Sequence, residues 1–137
     1  MSNQDIVNPE SLGRPKGFSH GVLASPGTRA LFVAGQAGWA TGLGAAPDFA
    51  TQFARALDQV LEVVKEAGGE ANDVARLTVY VTSLEAYLDS RESLGQAWKD
   101  RFGRYYPAMT LVEVKGLVDE GAVVEIEATA MVRVDHS

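Results

Sequence analysis

Three glutamates stand inside β-prone runs of this chain: Glu113 in AMTLVEV, and Glu125 and Glu127 in VVEIEATAMV. Glu125 and Glu127 are two residues apart, so on a strand they share one face, while Val124, Ile126, Ala128 and Ala130 share the other. Two readings stand side by side. The glutamate face is simply solvated, or one carboxylate lines a cleft and positions a water or a proton. The chain has two histidines, His20 and His136, and no cysteine. His20, in a β-prone run, reads as a hydrogen-bonded structural residue, and His136 belongs to the tail. Histidines this far apart argue against a metal site, and the lack of thiols excludes a cysteine nucleophile or a disulfide scaffold. Arg91 lies among the apolar residues of a helical stretch. Such an arginine pairs with a neighbour or snorkels, or it clamps a substrate carboxylate. Gly35-Gln36-Ala37-Gly38 has neither the spacing nor the lysine of a phosphate loop. It fits a close backbone approach at a sheet edge.

The elements that must hold these residues follow from periodicity. Residues 1–17 carry Pro9, Gly13, Pro15 and Gly17 and read as an extended lead-in. Phe18–Ala24 and Ala30–Ala37, with Ser25-Pro26-Gly27 between them, predict a hairpin. Gly38–Pro47 is a Gly- and Ala-rich loop. Phe49, Phe53, Leu57, Val60 and Val64 form one stripe, so Asp48–Ala67 is a helix stopped by Gly68-Gly69. Ala75–Thr82 is a strand. Leu84–Phe102 is a second helix, with Ser83 as its cap. Ala108–Val114 and Val123–Val132 are the last strands. The order β-β-α-β-α-β-β predicts an α+β fold, a mixed sheet with two helices on one face. The strand residues of the bare face read as largely apolar, which calls for subunit association as its cover.

The bulk properties narrow the classes. The 137 residues fit a single domain over 18–134, with 135–137 as a tail. Such a chain buries roughly two thirds of its unfolded surface without staples. The net charge of −6 repels phosphate backbones, so no nucleic-acid partner is expected. No apolar run nears the ~20 residues of a membrane span. MSNQDIVNPE has no basic start and no apolar core, so it is no signal peptide, and a cytoplasmic location is expected.

Taken in order, several segments resemble the RidA/YjgF family. They are Phe18-Ser19-His20-Gly21, Leu31-Phe32-Val33-Ala34-Gly35-Gln36, Leu77-Thr78-Val79-Tyr80-Val81 with Leu84, Tyr106-Pro107-Ala108, Val112-Glu113-Val114 and Val124-Glu125-Ile126-Glu127-Ala128. The resemblance implies a chorismate-mutase-like fold and a homotrimer with clefts between subunits. It implies hydrolysis of reactive enamines or imines, a deaminase chemistry needing neither metal nor organic cofactor. It makes Glu125 the residue that holds the attacking water, and main-chain groups near Gly35 and Leu111 contacts for the substrate. Several positions depart from the family pattern. Met109 stands where the family has the arginine that binds a substrate carboxylate, and methionine offers no charge and no donor. Phe18 replaces a site tyrosine, Ala34 a serine, and Leu111 a small polar residue. Arg91 stands where a polar residue is usual and is expected to replace the lost arginine in part. The expected substrate is therefore a small molecule larger or less anionic than a simple 2-iminoacid. The alternative is a trimer that binds or senses a small ligand without turnover. Ribonuclease activity, attached to some relatives, is opposed by the negative charge and by the lack of a histidine pair.

Overall fold

The computed structural model describes residues 4–40, 42 and 44–134. His136 lies outside the described residues. Within the lead-in, β1 (Gln4–Val7) pairs antiparallel with β2 (Gly21–Ala24), Val7 opposite Gly21. β3 (Thr28–Ala37), β4 (Val74–Val81), β5 (Ala108–Glu113) and β6 (Val124–Arg133) form a second sheet in the order β3-β6-β4-β5. β6 is antiparallel to both neighbours, while β4 and β5 run parallel. The helices are α1 (Phe49–Glu66), α2 (Leu84–Asp89) and α3 (Arg91–Phe102).

Two local expectations are corrected. The predicted hairpin does not form, because the Ser25–Gly27 turn passes the chain from one sheet to the other. β3 matches eight of its residues to the ten-residue β6, a longer ladder than the four residues of β2 could offer. β2 turns instead to the lead-in strand. The second predicted helix is broken at Ser90 (φ −101°, ψ 4°), which caps both α2 and α3 and makes Arg91 the first residue of α3.

The core follows from the two periodicities. Leu77, Val79 and Val81 of β4 and Val124, Ile126 and Ala128 of β6 are buried against the stripe of α1 and against Leu94, Trp98 and Phe102 of α3. Burial of this apolar surface is the main stabilising term. The opposite sheet face also differs from expectation. It carries an exposed Phe32, but also Arg76, Thr78, Tyr80, Glu125, Glu127 and Thr129, so it is mixed rather than largely apolar. Alternation places these polar residues there because their neighbours fill the core.

α1 begins at Asp48, whose Oδ1 accepts the Thr51 N–H at 2.9 Å. This hydrogen bonding holds the Asp48 carboxyl below its ordinary value of 3.8. A depressed carboxyl stabilises the fold above the unfolded-state value and loses that effect as pH falls through the folded one. Asp48→Ala is therefore expected to lower the urea midpoint at pH 7, with the gap to the parent closing only below pH 3.8. A gap that stays the same as pH falls from 7 until the carboxyl of the folded protein is protonated would remove the cap from this account. At the other end of α1 the Gly69 N–H donates to the Val64 carbonyl at 2.9 Å, closing the helix at the expected Gly68-Gly69 stop.

One buried polar side chain joins the loops to α1. Gln52 is fully buried. Its Nε2 donates to the carbonyls of Pro47 (3.1 Å) and Gly121 (3.0 Å), and its Oε1 accepts the Val123 N–H (2.9 Å). Gly38 lies against the same turn of helix. A Cβ there would stand 1.9 Å from the Gln52 carbonyl oxygen.

Candidate functional site

The three strand glutamates have different fates. Glu113 Oε1 accepts the Leu84 N–H at 2.9 Å and so holds the start of α2. Glu127 Oε2 accepts the Tyr80 hydroxyl at 3.0 Å. That hydrogen bond pushes the Tyr80 phenol above its ordinary value, because losing the proton would set two anions side by side. Glu125 is half-buried and makes no hydrogen bond or ion pair with any described residue. Its carboxylate instead rests on bare backbone. A Cβ built on Gly35 would meet Glu125 Oε2 at 2.4 Å. Gly35 lies in the irregularity where the β3–β6 register shifts between Val33 and Gln36. An extra residue there bends the strand, and the missing side chain leaves room for the carboxylate. Ala34, beside it, is exposed.

A second group of the expected residues gathers elsewhere. Arg91, Met109 and Leu111 line one cavity of 270 Å³. Its buried wall is Phe53, Val79, Leu94 and Trp98, and its exposed rim includes Lys16, Gly17 and Arg91. Trp98 is fixed by stacking on Phe102 (centroids 4.1 Å apart) and Tyr106 (5.7 Å), and its Nε1 donates to the Tyr105 carbonyl at 3.1 Å. Arg91 Nε donates to the Leu88 carbonyl at 3.1 Å. Arg91 opens α3, where a cation meets the positive end of the helix and is disfavoured. Its bond to the Leu88 carbonyl serves the end of α2 instead.

The sheet separates the two groups within one subunit. Met109 lies opposite Leu77, which is buried under the helices. Glu125 lies opposite Tyr80, on the other face. Phe18 joins neither group. It packs edge-on against His20 with centroids 5.3 Å apart, and its neighbours Lys16 and Gly17 reach the cavity. His20 holds the lead-in, with its N–H donating to Asn8 Oδ1 at 2.7 Å and its Nε2 3.1 Å from the Gly13 carbonyl. Ser19 ties this segment to β5 through its N–H, which donates to the Pro107 carbonyl at 3.0 Å. Tyr106 belongs to the Tyr106-Pro107-Ala108 segment that carries the resemblance, although no role was attached to its side chain, and Lys16, a lysine in a polar lead-in, gives no signal in the sequence. Tyr80 could have been found, since alternation from buried Val79 and Val81 sends it to the glutamate face. Among the described residues, no cluster of three or more His, Cys, Asp or Glu could hold a metal ion, and no helix is long and apolar enough to cross a membrane.

A family model described as endoribonuclease L-PSP matches residues 10–132. The chain belongs to this family, the RidA/YjgF family. A RutC family protein of Pyrococcus abyssi is 31% identical over 130 residues, spanning 93% of this chain and 96% of that one. Among solved structures, the Rid-family protein YyfB of Yersinia pestis is 30% identical with a TM-score of 0.79, covering 95% of this chain and 99% of its own. Escherichia coli TdcF, solved with bound serine, is 28% identical with a TM-score of 0.65, covering 89% and 92%. The mixed sheet with its helices is thus the fold of RidA/YjgF proteins.

Proposed function

We propose that this RidA/YjgF protein is a cofactor-independent hydrolase of enamine or imine intermediates, working in a cleft between subunits of a homotrimer in the cytoplasm. One observation carries the reading. Of the three strand glutamates, only Glu125 has no protein partner for its carboxylate among the described residues, and it sits over the glycine of a strand bulge. A carboxylate with unspent acceptor sites can hold a water, take its proton as it adds to a C=N carbon, and return the proton to the leaving nitrogen as ammonia departs. The separation across the sheet supports a shared cleft. Glu125 and Gly35 cannot meet Arg91, Met109 and Leu111 within one chain, so a second copy would have to supply one half of the site. A relative solved with serine, TdcF, supports a ligand of amino-acid size.

A reading without turnover is favoured by the cavity itself, since no carboxylate or histidine lines it. Ammonia release from imines made in situ by an amino-acid oxidase decides between the two. With the parent protein, release should be accelerated. With Glu125→Ala the acceleration should fall by ~100-fold or more, the usual share of a general acid–base group. Equal rates with and without the parent protein, across acidic, neutral and aromatic imines, would leave the binding protein.

A further inference from the structure

We propose that the cavity beneath β5 binds a small anion carrying a ring-sized apolar substituent, with the ring seated inside and the anionic group held at the rim by Arg91 and Lys16. The inference rests on reading this cavity as part of the functional site. It adds the class of ligand.

The shape and chemistry of the cavity divide it into two zones. The interior is apolar: Phe53, Val79, Leu94 and Trp98 are buried there, and Met109 and Leu111 close it from β5. A closed apolar cavity of about 150 Å³ already takes benzene. With 270 Å³, this one has room for a ring and part of a side chain. A carboxylate placed among Phe53, Val79, Leu94 and Trp98 would lose its hydration, and the one donor of that wall, Trp98 Nε1, is already spent on the Tyr105 carbonyl, so burial there is costly. The anionic group is therefore excluded from the interior.

The rim offers what the interior lacks. Arg91 and Lys16 are both exposed and both border the same opening. Arg91 spends its Nε on the Leu88 carbonyl, which fixes the start of the guanidinium and leaves its terminal nitrogens for a ligand. Lys16 comes from a segment anchored to the strand end beside the cavity, through Ser19 and Pro107. Two cations at one mouth, on a protein of net charge −6, favour an anion at that spot over the surrounding surface. A ligand with only a carboxylate would leave the interior empty, and one with only a ring would leave the cations unused.

Calorimetric titration of the full chain with three stable compounds tests this. Phenylpyruvate has the ring and the carboxylate, pyruvate the carboxylate alone, and phenylacetone the ring without the charge. Phenylpyruvate should bind at least ~10-fold more tightly than either of the others, as a contribution of about 1.4 kcal/mol from each zone requires. The exposed double variant Lys16→Gln/Arg91→Gln should weaken phenylpyruvate by ~10-fold or more, a similar free energy, and leave phenylacetone unchanged. Equal or tighter binding of pyruvate, no saturable binding of phenylpyruvate, or an unaltered phenylpyruvate affinity in the double variant would each overturn the proposal. Turnover is read separately by ammonia release. Loss of turnover with the order of ligands intact would remove the hydrolase and keep the ligand class.

Discussion

Gly38→Ala is expected to cost about 3 kcal/mol of stability, at the upper end of what overpacking a well-filled site does. The added methyl would stand 1.9 Å from the carbonyl oxygen of Gln52, 2.6 Å from its carbonyl carbon and 2.7 Å from its Cα. All three are backbone atoms of α1, so no side-chain rotation relieves the overlap. The chain must move the loop after β3 away from the helix, and the hydrogen bonds around Gln52 go with it. For a chain of this length the midpoint of thermal unfolding should fall by roughly 10 °C or more. A fall of less than about 2 °C would show that loop and helix do not meet this closely.

Gln52→Met should cost a similar amount for a different reason. Methionine nearly preserves the volume, so the change isolates the polar term. It leaves the Val123 N–H and the carbonyls of Pro47 and Gly121 without their partner in a dry setting. An orphaned buried group costs about 1–3 kcal/mol, and water can reach some of the three once the joint loosens, so a total near 3 kcal/mol is expected. Urea unfolding should show a lower midpoint with an unchanged slope. If Gln52→Met matched the parent, the hydrogen bonds would be dispensable and Gln52 would be there only for its bulk.

How far the sequence spoke for itself depends on the range of the interaction. The α1 stripe of Phe49, Phe53, Leu57, Val60 and Val64 was legible, and every one of those residues is buried. The alternation of β6 was legible for the same reason: period and burial are both local. The partner of β2 was not, because a four-residue strand carries no record of which edge it will meet. The break at Ser90 was hidden by apolar residues on both sides of it. Gln52 read as one polar residue among others, although it lies three after Phe49 and four before Ala56 and therefore on the buried stripe. The glutamates were visible, but their difference was not. What separates Glu125 from Glu113 and Glu127 is the lack of a partner among the described residues, and partners come from Leu84 and Tyr80, far away in the chain. The opposition of Arg91 and Glu125 across the sheet was equally hidden, since it follows from the register of β6 against β4.

The joint at Gln52 has a bearing on the carboxylate as well as on the fold. Its Oε1 holds Val123, two residues ahead of Glu125. On the facing strand Ala37, the register partner of Glu125, leads directly into Gly38, which is pressed against the same turn of α1. Both strands that frame the carboxylate over Gly35 are thus moored to a single residue of α1, one by its side chain and one by its backbone, at the end of the sheet rather than in its middle. Warming that frays this end would cast the acid adrift while the centre of the core is still intact. The arrangement of Glu125 over Gly35 should therefore be lost at a lower temperature than the helices, with the near-UV signal of the neighbouring Trp39 falling before the far-UV helix signal.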